Sequence, residues 1–179
     1  MAKHTRRFTE GMLDDRLIMR ALDVHQGQTI VDAGCGNGYM SRLFHREVKP
    51  GVVYAVDPNP MFIKEIKADI STEDIRPLVG DMTLGTSLPD GCADVVYMAA
   101  VLHIFSDEQL LCVAGEVERL LVPGGLFAVV EIAKHATPFG PPMAHRYSPE
   151  ELREALPFSS VSLDWVAEHF YLQVFRGDA

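Results

Sequence analysis

The stretch Val31-Asp32-Ala33-Gly34-Cys35-Gly36-Asn37-Gly38 puts an acid and three glycines at the end of a short β-branched run. A glycine cluster at the edge of an element costs conformational entropy, so it serves a tight turn or a close ligand. Bare amides at such a turn can meet a ligand at the N-terminus of the next helix. A dinucleotide turn requires Gly-x-Gly-x-x-Gly. Here Gly34 and Gly36 fit, but the third position is Tyr39 and the last glycine comes one residue early, at Gly38. Asp57 closes a second apolar run, about 20 residues beyond Gly36, where a carboxylate can accept from both hydroxyls of a ribose. Standing before Pro58, it also suits a turn. Asp81, in Gly80-Asp81-Met82, ends a third run. There it can accept from an adenine amino group with Met82 against the ring, or simply end the strand. The three features together are far more specific than any one of them.

These residues need elements to position them. Leu13, Leu17, Ile18, Ala21 and Leu22 share one face of a helix expected over 13–24. Strands are expected at 29–31, 52–56, 76–80, 93–98 and 126–132, and helices at 40–48 and from Met61. Pro77 cannot donate to a ladder and places the third strand at a sheet edge. Ser106 with Gln109 is a capping-box pattern opening a helix through Leu121, which Pro123-Gly124-Gly125 should end. Ser148-Pro149-Glu150-Glu151 is a second such start. The runs 161–166 and 170–175 are too close for anything but an antiparallel hairpin. Alternating strands and helices with apolar strands predict a parallel sheet covered on both faces.

The chain has 179 residues, enough for one domain with one core, residues 1–12 serving as tail or cap. Its net charge of −9 lacks the positive field that binds phosphates, so nucleic acid is not expected as a partner. Lys3, Arg6 and Arg7 read as a solvated tail. The three cysteines show no metal-ligand spacing, no metal is expected, and a reducing, cytoplasmic setting fits. No apolar stretch approaches the roughly 18 residues that span a bilayer.

With these motifs in place, the chain resembles the class I S-adenosylmethionine-dependent methyltransferases, in their small-metabolite, quinone-methyltransferase-like branch. VDAGCGNG resembles the glycine-rich first motif, YAVDPNP (54–60) the second, and VGDM (79–82) the third. ADVVYMAAVLHIF (93–105) and EVERLLVPGGLFAVVEI (116–132) resemble the fourth and fifth strands with their flanks. The resemblance implies a Rossmann-like three-layer α/β sandwich. Its seven-stranded, mostly parallel sheet would have the order 3-2-1-4-5-7-6, with strand 7 antiparallel. It also implies S-adenosylmethionine as methyl donor, S-adenosylhomocysteine as product and a small-molecule acceptor. The donor would be held by Asp32, Gly34, Cys35, Gly36, Gly38, Asp57, Pro58, Asp81, Met82 and Ala99. His103 would be the acceptor-side base or orienting group, or else a histidine covering the next helix. Glu131, His135, His145 and Arg146 would form a polar rim over an apolar pocket, and residues 8–15 a cap. Methyl transfer from a sulfonium asks the protein mainly to position and desolvate. Two other readings stand beside this one. One is a non-catalytic nucleotide-binding partner protein. The other is a nicotinamide-dependent oxidoreductase, against which none of the five tyrosines has a lysine four residues on.

Overall fold

The first helix begins where Asp14 accepts from the Leu17 amide at 2.9 Å, and it spans Asp15–Ala21 (α1). It is shorter than its apolar periodicity suggests, because Asp23 turns the chain with φ +48°. In the computed structural model, which describes residues 9–177, the chain continues as β1 (Thr29–Ala33), α2 (Tyr39–Val48), β2 (Val52–Asp57), α3 (Pro60–Asp69), β3 (Ile75–Val79) and β4 (Ala93–Ala99). It ends with α4 (Asp107–Leu120), β5 (Leu121–Ile132), α5 (Pro149–Ala155), β6 (Ser159–Ala167) and β7 (Phe170–Arg176). Lys3, Arg6, Arg7 and Phe8 lie outside the described residues. Both capping boxes form reciprocally: Ser106 with Gln109 opens α4, and Ser148 with Glu151 opens α5.

The sheet has the order β3-β2-β1-β4-β5-β7-β6, parallel except for β7, which runs antiparallel to both β5 and β6. Pro77 sits opposite Ala55 on β3, the edge strand, where its missing N–H is harmless. Alternate strand residues feed two cores. Ile30, Val53, Val95 and Val130 pack with Ile18, Leu22 and Phe44 of the α1 and α2 region. Val31, Val96, Phe127 and Val129 pack with Leu110, Val113 and Val117 of α4 and with Leu152 of α5. Both faces are covered, as apolar parallel strands require.

A second boundary also differs from expectation. Helix α4 stops at Leu120, and Leu121 is already extended and paired with Ala93. Pro123-Gly124-Gly125 does not end the helix; it fills an irregularity near the start of β5, with Gly124 at φ +75°. The register then resumes at Val95 opposite Leu126. A proline and two glycines have no ladder to lose in a bulge, which is why a helix-stop pattern can serve inside a strand.

The turns after β1 and β4 meet. Ala100 takes φ +55°, a conformation costly for any residue with a Cβ, and its amide donates to the Val130 carbonyl at 2.8 Å. This throws Val101 against Gly34, where an added Cβ would lie 2.7 Å from Val101 Cγ2. Gly34 is itself at φ +77°. Gly34→Ala should therefore lower stability by about 2–4 kcal/mol, from the left-handed backbone and the overpacking together. Adding Val101→Ala should return only the overpacking part. Urea denaturation of the single and double variants checks this, and a neutral Gly34→Ala would refute the close approach.

Candidate active site

At the carboxyl ends of β1, β2 and β4 lies a cleft of about 270 Å³, the place where open α/β sheets bind ligands. Its floor is the glycine turn, held by the end of β2. The amides of Gly34 and Cys35 donate to the Val56 carbonyl at 2.8 and 3.0 Å. The amide of Gly36 donates to Asp57 Oδ2 at 3.0 Å. Asp57 Oδ1 accepts from the Asn59 amide at 2.8 Å. A carboxylate offers about four acceptor positions, so Asp57, nearly buried, retains capacity for a ligand's hydroxyls.

Of the residues expected to hold the donor, the structure gathers Asp32, Gly34, Cys35, Gly36, Asp57, Pro58 and Ala99 around the cleft. The other three lie outside its lining. Gly38 is bare because Ile66 approaches it; an added Cβ would sit 2.9 Å from Ile66 Cδ1. Met82 is packed in the core with Val31 and Val56. Asp81 Oδ1 is taken up by the Thr83 amide and hydroxyl at 2.8 and 2.7 Å. Cys35 is a buried thiol, and burial first, then the charges of Asp32 and Asp57, push it far up and leave it an inert small side chain.

Sequence reading missed part of the lining. Phe62, Tyr97, Val101 and Ile104 border the cleft, as do Thr9 and Glu10 from the N-terminal segment. That segment is tied down by side chains. Asn37 Nδ2 donates to Glu10 Oε2 at 2.8 Å, and Tyr39 Oη donates to Asp15 Oδ2 at 2.5 Å. The second bond, with burial, pushes the Tyr39 phenol up to about 12. Tyr97 could have been found from the strand period, since it pairs in register with Asp32 and so shares its face.

His103 does not line this cleft. The short 3-10 turn Leu102–Ile104 divides it from a second cavity of about 590 Å³, lined by His103, Phe105, Lys134, Ala144, His145 and Tyr147 among others. His103 Nδ1 lies 3.0 Å from Glu131 Oε2, and the Leu102 amide donates to Glu131 Oε1 at 2.7 Å. An ionised Glu131 can only accept, which puts the hydrogen on Nδ1 and leaves Nε2 as the exchangeable nitrogen. The expected polar rim forms only in part. Arg146 is buried and spends its guanidinium on the carbonyls of Ala133, His135, Phe139 and Pro141. It shapes the loop rather than facing a ligand. His135 pairs with His169 at 3.3 Å.

The cleft's charge is one-sided. Glu10, Asp32 and Asp57 line it, and no lysine, arginine or histidine does so among the described residues. Asp32 is 3 % exposed and accepts from Ser41 Oγ of α2. Burial, assisted by the charge of Asp57 and opposed by the bonds from Ser41, raises its carboxyl to about 7. Its neighbours Tyr97 and Cys35 carry no compensating positive charge. Between pH 4 and 7 the unfolded chain ionises this acid while the folded chain keeps it protonated. Without ligand, stability should therefore fall as pH rises through that window. Asp32→Asn should remove that slope. Thermal melts at pH 5, 6 and 7 check it, and an unchanged slope in the variant would contradict the buried-acid account.

Among the described residues, no group of three or more histidines, cysteines or acids is placed to hold a metal. No helix among them is long and apolar enough to cross a membrane.

Comparison with known proteins agrees with this geometry. Residues 30–125, more than half of the chain, match the family model described as a methyltransferase domain. Over 131 residues the chain is 27 % identical to an uncharacterised methyltransferase of Synechocystis sp., covering 72 % of this chain and 59 % of that protein. Over 109 residues it is 30 % identical to the malonyl-[acyl-carrier protein] O-methyltransferase of Serratia marcescens, covering 61 % and 40 %. The chain thus spans about two-fifths to three-fifths of the length of these curated relatives. Its fold matches the crystal structure of a SAM dependent methyltransferase from Aquifex aeolicus, with a TM-score of 0.84 at 20 % identity, over 94 % of this chain and 92 % of that one. With the family model matched across the glycine turn, Asp57 and the β4 wall, the chain belongs to the class I S-adenosylmethionine-dependent methyltransferases.

Proposed function

We propose that the chain transfers a methyl group from S-adenosylmethionine to a small-molecule acceptor, releasing S-adenosylhomocysteine. The carrying observation is a cleft lined, among the described residues, by acids and no basic side chain, built over the glycine turn and Asp57. S-adenosylmethionine brings a sulfonium and an ammonium to such a site. A dinucleotide brings a pyrophosphate, which the acids Glu10 and Asp57 would repel.

When bound, the donor supplies an electrophilic methyl on a positively charged sulfur that carries its own leaving group. The chain's residues do the rest. Asp57 accepts from ribose hydroxyls with its remaining lone pairs. Asp32, once ionised, takes the ammonium. Ala99, Ala100, Val101 and Ile104 offer an apolar wall that excludes water where the methyl moves. His103, oriented by Glu131, takes a proton from the acceptor at Nε2 or holds it in place.

The acceptor's body sits in the second cavity, with its nucleophilic atom reaching past the 102–104 turn to the apolar wall. Its volume falls within the usual range for small-molecule sites. The malonyl-[acyl-carrier protein] relative acts on a carrier-borne group, and a cavity of this size suits such a small reactive group or a free metabolite. The net charge of −9 argues against a nucleic-acid acceptor. Three free cysteines favour a reducing, cytoplasmic compartment.

Calorimetry tests the donor. Wild type should bind S-adenosylmethionine and not NAD(H), and Asp57→Ala should weaken binding about 10-fold or more, as loss of a charged hydrogen bond implies. Binding of NAD(H) instead, or of neither, would overturn the reading. The seat of the acceptor is tested at Ala144, which is exposed on the cavity wall. Ala144→Trp should abolish turnover of an identified acceptor while donor affinity stays unchanged. Full turnover in that variant would move the acceptor site elsewhere.

A further inference from the structure

Tyr97 borders the cleft with a polar atom that the donor site above leaves unused. It stands on β4 beside Asp32 on β1, its ring edge-on to Phe44 at a centroid distance of 5.1 Å. The residue is 1 % exposed and borders the cleft, and its hydroxyl is buried with no hydrogen-bond partner among the described residues. A buried hydroxyl left without a partner is destabilising and calls for a reason. Phenylalanine would fill the same space without that cost, so the oxygen itself needs a role. Burial first, and then the neighbouring acids Asp32 and Asp15, keep the phenol protonated. A carboxylate ligand would be repelled there, whereas a cation with several N–H groups would be satisfied on more than one side.

We propose that the Tyr97 hydroxyl is a positioning residue for the donor, accepting, next to Asp32, from the primary ammonium of the donor's amino-acid end. The proposal rests on the reading of this cleft as the S-adenosylmethionine site. The ring, wedged against Phe44, sets where the oxygen stands. The ammonium gains a carboxylate and a neutral hydroxyl, and the hydroxyl gains the partner it lacks in the free protein. A donor anchored at that end and, through its ribose, at Asp57 is held on both sides of the sulfur, which fixes the sulfur opposite the apolar wall.

The test is Tyr97→Phe, which keeps the ring and deletes only the oxygen. Calorimetry compares S-adenosylmethionine with 5′-methylthioadenosine, which has the nucleoside and the sulfur but no amino-acid end. The variant should bind S-adenosylmethionine about 10-fold more weakly and 5′-methylthioadenosine as wild type does. Its melting temperature without ligand should equal or exceed that of wild type. Equal affinity for S-adenosylmethionine in the two proteins, or equal losses for both ligands, would overturn the proposal. So would a lower melting temperature, which would show that the hydroxyl already has a structural partner in the free protein. Failure of the wild-type protein to bind S-adenosylmethionine would strike the reading of the cleft itself, and is thereby distinguished from failure of the Tyr97 assignment.

Discussion

The site depends on the grip of β2 on the glycine turn. The Val56 carbonyl and the Asp57 carboxylate together take three consecutive amides, those of Gly34, Cys35 and Gly36. Glycine takes the left-handed backbone at 34 and 36, with φ of +77° and +52°, without the cost a Cβ would add, and that backbone lets those amides turn toward β2. Once they do, the cleft acquires a floor of fixed shape. The carboxylate that fixes it is also the one a ribose would meet. Structure and binding thus share one side chain, and Asp57 can hold a ligand only because its acceptor capacity exceeds the demand of the turn.

The glycines answer to more than the ligand. Gly34 yields space to Val101, and Gly38 yields space to Ile66 of α3. The first contact locks the β1 turn to the β4 turn, where Ala100 carries a strained φ. The second lets α2 and α3 approach each other. Bareness that looks like room for a cofactor is, at two of three positions, room for the protein's own side chains. Strain at Ala100 is sustained because the Val130 carbonyl of β5 holds its amide.

Electrostatics divides the work between the two cavities. The cleft is acidic and contains a carboxyl at Asp32 that burial keeps protonated until near neutrality. A cationic ligand arriving there supplies the charge that makes ionisation favourable, so cation binding and proton release are coupled. The second cavity mixes signs, with the Lys134–Glu151 pair at 2.5 Å and His103 backed by Glu131. The 102–104 turn separates a cleft lined by acids from a cavity lined by both signs of charge and by histidines.

The amino-acid order by itself determined the strand and helix succession, the edge position forced by Pro77, both capping boxes and the antiparallel hairpin. Each of these depends on local chemistry: a missing N–H, a hydroxyl three residues from an amide partner, a gap too short for a crossover. It also carried the motifs that resemble the methyltransferase family, and so the positions of Asp32 and Asp57. Tertiary structure decided which of the expected residues meet. Met82 is drawn into the core and Asp81 into a local turn, because apolar burial and a nearby amide act on them. Arg146 closes a loop on its own carbonyls, and His103 faces the neighbouring cavity across the Leu102–Ile104 turn. The unpartnered hydroxyl of Tyr97 could be recognised only with its surroundings in place. Whether a polar atom is satisfied is a property of distances between strands, and spacing along the chain does not contain them.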